Sequence, residues 1–413
     1  MLLSLALGHS QSLAQQTRVQ APQPDLLSQA VQQGDFEMVR ALLESGADIE
    51  GTNVKVLTPL MLASAGGNLD MVRFLLARGA DIESGRIPSA TPLMLAANQG
   101  NLEIVRFLLA NGAKIEGSAI SAVTPLMIAA NQESLKIVNL LLANGADVEG
   151  SRKGLTTPLL IAADKGNIAI ARKLVENGAD IEAETIKLLT PLMIASETGN
   201  IEMVRVLLAR GAEIEGSNTG DESPLMIAAE NGNVDMVRVL LAHGADIESS
   251  GMGQSTPLLL AASQGHTDVV RVLLERGAQV EGRNIGSSTP LMLSAMNGEL
   301  DIVQLLLEAG ADLARLSDSG ESPFFLAAFW GHYDVVKEFL SRQSGRDLVN
   351  KKFTDLESTA LIASVEWNSP KLVQILLDAG ADPTIRDSLG ETVFDRCQDE
   401  AIQKGCSVIH AIK

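Results

Sequence analysis

The side chains of this chain that could do chemistry are few and widely separated. Its five histidines are spread along the sequence, at His9, His243, His266, His332 and His410. They form no H-E-x-x-H motif and no close cluster with cysteine, which are the usual arrangements for binding zinc. The sequence also lacks a phosphate-binding G-x-x-x-x-G-K-[ST] loop and a G-x-S-x-G nucleophile elbow. We therefore predict that the protein is not an enzyme and uses no cofactor or metal.

The two cysteines, Cys397 and Cys406, lie within the last 17 residues of the sequence. They cannot supply the four ligands of a thiolate zinc site, and they cannot crosslink the rest of the chain. They are either buried thiols or, if the chain is exported, a disulfide bond. Buried thiols are the expected state, because a disulfide needs an oxidising compartment.

The formal net charge is −19, from 51 acidic and 32 basic residues. Such a charge repels nucleic acid and anionic lipid surfaces, so neither is an expected partner. Protein or peptide partners, basic ones included, remain compatible with it. No window approaches the ~18 consecutive apolar residues that span a bilayer, so no membrane span is predicted. The protein is expected to be a monomer.

The first 24 residues differ from the rest of the chain. Met1 to Leu7 is an apolar run, and Ser12, Leu13 and Ala14 form a small-x-small pattern like that before a signal-peptidase cut. No Lys or Arg precedes the run, and the run is short for a signal peptide. Residues 1–24 are thus predicted to be either a disordered leader or a truncated signal peptide. The protein is periplasmic or secreted in the second case and cytoplasmic in the first.

A tripeptide of Thr or Ser, then Pro, then Leu or Phe recurs with a period of 33 residues. It begins at Thr58, Thr91, Thr124, Thr157, Thr190, Ser223, Thr256, Thr289 and Ser322. Thr359 follows after 37 residues, because four residues are inserted between Ser341 and Ser358. Thr or Ser before Pro is typical of a helix N-cap followed by proline at the first helical position. Each period is therefore predicted to start with a helix.

Each period holds a second predicted helix. In the unit that starts at Thr91, Pro92 to Asn98 forms the first helix, and Leu102 to Ala110 forms the second with apolar residues at helical spacing. Gly112 ends the second helix as a C-terminal glycine. One such pair cannot bury its own apolar face, so the pairs must stack on their neighbours.

These residues resemble the ankyrin repeat, which reads T-P-L-H-x-A-A, then G-H, V-V-x-L-L and G-A-D-V-N-A. The resemblance covers residues 25–413 as a single array of about eleven repeats, with a partial C-terminal cap from Thr392. It implies an all-α solenoid of stacked helix-turn-helix units with loop or hairpin fingers. It also implies a scaffold for protein–protein interaction, which binds through finger tips and the groove side of the first helices.

The chain departs from the family pattern in three ways. Methionine or leucine replaces the histidine of T-P-L-H, so apolar packing is expected in place of polar bonds, at Met61, Met94, Met127, Leu160, Met193, Met226, Leu259 and Met292. The D-x-x-G turn of the fingers survives only at Asp387 to Gly390. The pair Val-Asn becomes Ile-Glu or Val-Glu in eight successive repeats, at Glu50, Glu83, Glu116, Glu149, Glu182, Glu215, Glu248 and Glu281.

The glutamate row has two interpretations. It could attract a basic partner or divalent cations, or it could be a solvated edge whose carboxylates pair with Lys or Arg. We favour the second, because carboxylates ~8 to 10 Å apart repel one another only weakly in water. Arginines recur with a similar period, at Arg40, Arg73, Arg106, Arg172, Arg205, Arg238 and Arg271. The sequence does not show whether the two rows meet.

Apolar residues recur at the predicted tips of the fingers, at Val54, Ile87, Ile120, Ile186, Met252 and Ile285. Such a row indicates a surface that another molecule covers. The alternative is that these side chains fold onto adjacent fingers and stiffen the loops.

Aromatic residues are concentrated near the C-terminus, on the predicted groove side of the first helices, at Phe329, Trp330 and Trp367. Such residues are common interface anchors. The alternative is that the 37-residue spacing distorts the groove and that the rings pack under the inserted loop. Other groove positions carry ordinary polar residues, among them Glu197, Glu230 and Asn231.

The predicted function is a protein–protein interaction scaffold that binds a protein or peptide along this concave finger and groove surface. The alternative is a structural or envelope-protective role in an exported compartment, without one dedicated partner. Neither function involves catalysis.

Overall fold

The computed structural model describes residues 26–51, 57–83, 90–117, 122–150, 156–216, 222–251, 255–282, 287–365, 369–397 and 403–412. These residues form helices joined by turns. Phe353 and Ser358 also form an isolated antiparallel β-bridge. The chain divides into two compact units, Met1–Asp180 and Ile181–Lys413. The predicted leader lies outside the described residues, and its two interpretations stay predictions.

The first unit consists of helix pairs that stack in chain order. The pairs are Leu26–Gln33 with Phe36–Glu44, Pro59–Ala65 with Leu69–Ala77, Pro92–Asn98 with Leu102–Ala110, Pro125–Asn131 with Leu135–Ala143, and Pro158–Asp164 with Ile168–Glu176. The first helix of each pair packs on its own partner and on the first helix of the next pair. The predicted stacking of pairs is therefore confirmed within this unit.

The second unit continues the same pattern and ends differently. Its pairs are Pro191–Glu197 with Ile201–Ala209, Pro224–Glu230 with Val234–Ala242, Pro257–Ser263 with Thr267–Glu275, Pro290–Asn297 with Leu300–Glu308, Pro323–Phe329 with Tyr333–Leu340, and Ala360–Val365 with Pro370–Asp378. The insertion contributes the short helix Gln343–Arg346. The helices Val393–Arg396 and Gln403–Ile412 form the C-terminal cap.

The helix boundaries lie where the sequence places caps. In the repeat that starts at Thr91, the Thr91 hydroxyl accepts a hydrogen bond from the backbone N–H of Met94 at 3.3 Å. Proline at the first position removes a donor that would otherwise need a partner. At the other end of the pair, Gly112 has φ +90°, and the N–H of Ala113 donates to the Leu108 carbonyl at 3.0 Å. This left-handed ending stops the second helix as predicted.

The core of each repeat is apolar on both helices. The first helix is buried on most sides, and Leu93, Ala96 and Ala97 are at most 1% exposed. The second helix buries one face, on which Val105 and Leu108 are fully enclosed. Alanine at two successive positions lets the neighbouring first helix approach closely. Truncating a core leucine such as Leu108 to alanine is expected to lower the free energy of unfolding by about 2 to 5 kcal/mol.

Methionine replaces the family's histidine by filling space beneath the base of the finger. A Cβ atom added to Gly117 would lie 2.9 Å from the Met94 sulfur, and one added to Gly216 would lie 3.0 Å from the Met193 sulfur. Gly117 and Gly216 also have positive φ angles of +69° and +73°. Gly117 and Gly216 follow Glu116 and Glu215 in the sequence. Each glycine is therefore required both by its backbone conformation and by the methionine side chain beside it. The apolar packing expected at this position is what the structure shows.

The C-terminal cap contains a disulfide bond between Cys397 and Cys406, so the expectation of buried thiols is wrong. Cys397 ends the short helix Val393–Arg396, and Cys406 lies on the helix Gln403–Ile412, which packs on Pro370–Asp378. This packing brings the two Cα atoms to 5.4 Å, within the range that a disulfide spans. Both cysteines are buried, as expected. The bond forms because the two helices approach each other, and the sequence alone did not reveal this approach.

Candidate binding surface

Three of the predicted binding residues lie in the described part of the chain. Ile186 is 70% exposed and Trp330 is 41% exposed, whereas Phe329 is half-buried. The remaining predicted residues lie outside the described residues, and their roles stay predictions, at Val54, Ile87, Ile120, Met252, Ile285 and Trp367. The surface is therefore built below from the described finger that carries Ile186.

The finger of residues 185–189 is a tight turn held by one threonine. The N–H of Thr185 donates to the Leu189 carbonyl at 3.1 Å, and the N–H of Leu188 donates to the Thr185 carbonyl at 2.9 Å. The Thr185 hydroxyl accepts from the N–H groups of Lys187 at 3.2 Å and Leu189 at 3.1 Å. Leu188 takes the left-handed conformation, with φ +60°, that glycine has in a D-x-x-G turn. The turn leaves Ile186 and Leu188 exposed.

The D-x-x-G geometry is therefore more widespread than its sequence signature. At residues 317–320, the N–H of Ser317 donates to the Glu321 carbonyl at 2.9 Å, and the Ser317 hydroxyl accepts from the N–H of Glu321 at 3.2 Å. Among the fingers, the D-x-x-G sequence is found only at residues 387–390, as predicted. The prediction is wrong for the turn geometry, which also forms in the fingers at residues 185–189 and 317–321. Threonine and serine hydroxyls accept the backbone bonds that the aspartate carboxylate accepts in the motif.

A cleft of about 380 Å³ lies between this finger and the first helices of two consecutive repeats. Its lining is Lys187, Leu188 and Leu189 of the finger, Met193 and Glu197 of the helix Pro191–Glu197, and Glu222, Ile227, Glu230 and Asn231 of the next repeat. Met193 is 1% exposed and Ile227 is 6% exposed. The cleft thus combines buried apolar side chains with polar groups that reach solvent.

The cleft is negatively charged. Three carboxylates and one ammonium group line it, and the carboxylates of Glu197 and Glu230 belong to equivalent positions at the ends of consecutive first helices. The helix end at Glu230 is held by the next repeat, because His266 Nε2 lies 2.8 Å from the Glu230 carbonyl oxygen. Sequence reasoning named Glu197, Glu230 and Asn231 as ordinary groove residues but did not place them beside the finger.

The glutamate row joins repeats through the backbone. In all eight glutamates, Oε1 accepts the N–H of the residue 31 positions later, at 2.6 to 2.9 Å. The acceptor bonds reach Asp81, Lys114, Asp147, Asp180, Glu213, Asp246, Gln279 and Asp312. The favoured interpretation, pairing with Lys or Arg, did not include these bonds to the backbone. Among the described residues an ion pair is seen at Glu281, whose Oε2 lies 3.8 Å from Arg315 Nε.

At several of these glutamate–backbone hydrogen bonds, the residue that donates its N–H is an aspartate, which brings a second carboxylate close to the glutamate. Asp147 Oδ1 accepts the N–H of Glu149 at 3.1 Å, while its own N–H donates to Glu116. Burial raises the pKa of Glu116 above the ordinary glutamate value, although the hydrogen bond from the Asp147 N–H opposes this effect and the charge of Asp147 adds to it. The pKa values of Glu149 and Glu215 are raised for the same reasons. Burial therefore disfavours the charged form of these three carboxylates.

Several arginines of the row pair within their own helices. Arg73 lies 3.7 Å from Asp70, Arg106 lies 3.8 Å from Glu103, and Arg205 lies 3.7 Å from Glu202, each three residues earlier in the chain. More than half of each of these arginine side chains is exposed, so the pairs contribute little to stability. In these three pairs the arginines do not meet the glutamate row.

The C-terminal aromatic residues are mostly internal. Phe325 is 4% exposed and packs against Phe329 at 5.9 Å and against Phe353 of the inserted segment at 5.3 Å, between ring centroids. Trp330 contacts Phe329 edge-on at 5.7 Å. The alternative of rings packed against the insertion therefore describes Phe325, and Trp330 remains exposed. Phe325 was missed, although Phe324 and Phe325 stand where other repeats carry leucine and methionine.

Sequence reasoning also missed exposed leucines on the C-terminal fingers. Leu316, Leu356 and Leu389 are 51%, 53% and 66% exposed. The fingers that carry them bond through their backbones, since the N–H of Thr354 donates to the Gly320 carbonyl at 3.0 Å and that of Ser388 donates to the Leu356 carbonyl at 2.8 Å. The sequence feature that could have identified Leu356 and Leu389 is a leucine at the third position of the turns at residues 354–357 and 387–390.

Two histidines have structural partners in neighbouring repeats. His332 Nε2 lies 2.7 Å from the Met296 carbonyl oxygen, as His266 does at Glu230, so both histidines link neighbouring repeats. In the described part of the chain, no group of three or more His, Cys, Asp and Glu side chains could hold a metal ion. No described helix has the length and apolar character needed to cross a bilayer.

Comparison with protein families agrees with this architecture. The family model of ankyrin repeats in three copies matches residues 27–119, 117–185, 183–251, 249–315 and 291–387. Among solved structures, the chain is similar to the crystal structure of the human ASB11 ankyrin repeat domain, with 29% identity and a TM-score of 0.49. That similarity covers 54% of this chain and 99% of the other. No curated protein matches the chain significantly.

Proposed function

The chain belongs to the ankyrin repeat family, and we propose that it binds a partner protein through the finger of residues 185–189 and the cleft beside it. Ankyrin repeats are generally protein–protein interaction modules, and the family is typically non-enzymatic. The proposal adds a place on this chain and a kind of partner. An extended segment of the partner would lie across the finger tip and enter the cleft.

The observation that carries the proposal is the exposure of two aliphatic side chains on a hydrogen-bonded turn. Ile186 is 70% exposed and Leu188 is 40% exposed, although both belong to a turn whose backbone is bonded at both ends. Covering such side chains removes apolar surface from water and favours association. Because the turn is already held by Thr185, binding would require little additional ordering of the chain.

The charge of the chain supports a positively charged partner segment. The net charge is −19, and the cleft itself carries more negative than positive side chains. Complementary charge steers a partner towards the surface and speeds association. The glutamate row contributes less to recognition than its sequence suggested, because one oxygen of each carboxylate already accepts a backbone N–H.

Site-specific photo-crosslinking tests the proposal. A benzophenone amino acid placed at Ile186 should crosslink a distinct set of proteins from a lysate of the native cells. The matched control carries the same probe at Glu202, an exposed position on the second helix of the same repeat. Excess unlabelled wild-type chain should compete with the crosslinks at position 186, and the Ile186→Asp variant should not. Equal capture at both positions would show that this finger is not the binding surface.

A structural role without a dedicated partner is the second candidate. The disulfide in the C-terminal cap is the observation that favours it, because such bonds persist in oxidising compartments. The same crosslinking experiment separates the two functions. A structural protein without a dedicated partner should give no competed crosslink at position 186.

A further inference from the structure

We propose that the cleft accepts the side chain of a single arginine from the partner segment. This inference rests on the proposed function, since it names the group that the same cleft would recognise. It does not follow from charge alone, because the cleft has an apolar part, a charged rim and a volume of about 380 Å³. That volume lies within the range of roughly 300 to 1,000 Å³ that is typical of ligand pockets.

The apolar part of the cleft suits the methylene stem of a long cationic side chain. Leu188 and Leu189 line it from the finger, and Met193 and Ile227 line it from two first helices. Arginine and lysine place their methylene groups on apolar surface while the charged head stays among polar groups. A short cation or an inorganic ion would leave this apolar part uncovered.

The rim favours a guanidinium group over an ammonium group. Glu197, Glu222 and Glu230 supply carboxylates from three separate segments, and Asn231 adds an amide. A guanidinium group has five N–H donors in one plane and can bond several acceptors at once, whereas an ammonium group is a compact and strongly hydrated point charge. Arginine can therefore form hydrogen bonds with more of the acceptors around the cleft than lysine can.

The combination of acidic groups is specific to this repeat pair. Glu197 and Glu230 occupy the last position of their first helices. The equivalent residue is Asp164 in the repeat before Glu197, and it is Asn131 and Asn98 in the two repeats before that. The following repeat carries Ser263. Glu222 stands one residue before the N-cap, where the preceding repeat has Leu189. The pair of Glu197 and Glu230 is therefore accompanied by a third carboxylate, which the pair of Asp164 and Glu197 lacks at the equivalent position.

Lys187 of the finger modulates the site. Its side chain lines the same cleft and is the one cation among the lining residues. An incoming arginine must share the carboxylates with this ammonium group. Replacing Lys187 by methionine, which keeps an unbranched apolar side chain, should therefore tighten binding of an arginine peptide by a few-fold.

A phage-displayed library of random peptides, selected on the full chain, tests the inference. The wild-type chain should enrich peptides that contain an arginine beside apolar residues. Chains with Glu197→Gln or Glu230→Gln should lose this enrichment. Asp164→Asn makes the same charge change at the equivalent position of another repeat, outside the cleft lining, and should keep it. Thermal melting of each variant checks that the fold is intact, since these side chains are not buried.

The outcomes separate the inference from the proposed function. Enriched peptides without arginine, lost with Ile186→Asp, would overturn the arginine site and leave the binding surface standing. No enrichment on the wild-type chain, or enrichment that Ile186→Asp does not change, would overturn both.

Resynthesised peptides give the final discrimination. The best peptide should bind about tenfold more weakly when its arginine is replaced by lysine, and more weakly still with citrulline, which has a similar shape and no charge. Equal affinity of the arginine and citrulline peptides would overturn the inference.

Discussion

Consecutive repeats are joined by different chemistry in two regions of the chain. In residues 50–312, a glutamate carboxylate accepts a backbone N–H of the following repeat at eight successive positions. In residues 317–412, the fingers bond through their backbones, and a disulfide closes the cap. There Asn350 Oδ1 accepts the N–H of Asp382 at 2.8 Å, and its Nδ2 donates to the Gly380 carbonyl at 2.9 Å.

This difference shows what the stack of repeats requires. The neutral amide of Asn350 accepts a backbone N–H in the same way as the glutamates do. We therefore expect the connection to need an acceptor and not a charge. Burial disfavours the charge of Glu116, Glu149 and Glu215 in the first region, whereas the second region includes a neutral amide link and a covalent bond. The two regions should consequently respond differently to reduction, substitution and acid.

The largest expected difference comes from reducing the disulfide. Opening the bond between Cys397 and Cys406 should destabilise the cap by about 3 kcal/mol, because the unfolded segment gains conformational freedom. Amide hydrogen exchange in the helix Gln403–Ile412 should accelerate under reducing conditions, while exchange in Leu102–Ala110 should not change. Unchanged protection in the cap would show that the disulfide does not stabilise it.

The next largest difference concerns a single glutamate. Glu149→Ala removes the acceptor for the N–H of Asp180 and should lower the free energy of unfolding by about 1 to 2 kcal/mol. Glu149→Gln keeps an acceptor oxygen, as Asn350 does, and should change stability by much less. Glu103→Ala is the control, because it removes the same charge from an exposed pair with Arg106. Equal losses for Glu149→Ala and Glu149→Gln in urea unfolding would show that the charge itself is needed.

Acidification should separate the two regions by a smaller amount and with opposite sign. The pKa values of Glu116, Glu149 and Glu215 are raised, so their contribution to stability increases as the pH falls through the folded-state pKa. The pKa of Glu338 is lowered by hydrogen bonds from Arg342 and Gln304, so its contribution is lost as the pH falls through its folded-state pKa.

Asp387 behaves like Glu338. Burial raises its pKa, but bonds from the Glu391 N–H, Arg396 and the Leu389 N–H outweigh burial and lower it. Both tryptophans, Trp330 and Trp367, belong to the C-terminal region and report on it. As the pH is lowered below the ordinary carboxyl pKa values of 4.5 for glutamate and 3.8 for aspartate, the midpoint of thermal unfolding should fall more steeply by tryptophan fluorescence than by circular dichroism. Parallel midpoints would contradict the opposed titrations.

The parts of the fold that local chemistry decides could be predicted from the sequence. Thr91 before Pro92 gives a cap, Gly112 gives a left-handed ending, and the apolar spacing of the second helix gives its buried face. Each of these features depends on residues within one repeat. The resemblance of these residues to the ankyrin repeat implied the family and the all-α fold, and both are confirmed.

The features that depend on neighbouring repeats could not be predicted in this way. The glutamate carboxylates bond to a backbone 31 residues away, and residue types alone suggested arginine or lysine as partners. The turn at Thr185 uses a hydroxyl and a left-handed leucine where the motif has aspartate and glycine. The cleft required the positions of Glu197 and Glu230 relative to that finger. In each case the direction of a side chain decides the contact.

Hydrogen–deuterium exchange of the full chain, with and without a saturating peptide that the wild-type chain selects, tests most directly that the finger and the cleft form the binding surface. Binding there predicts slower exchange at residues 186–189 and at Glu230 and Asn231, with unchanged exchange in the C-terminal fingers at residues 354–357 and 387–390. Slower exchange confined to those C-terminal fingers, where Leu356 and Leu389 are exposed, would contradict it.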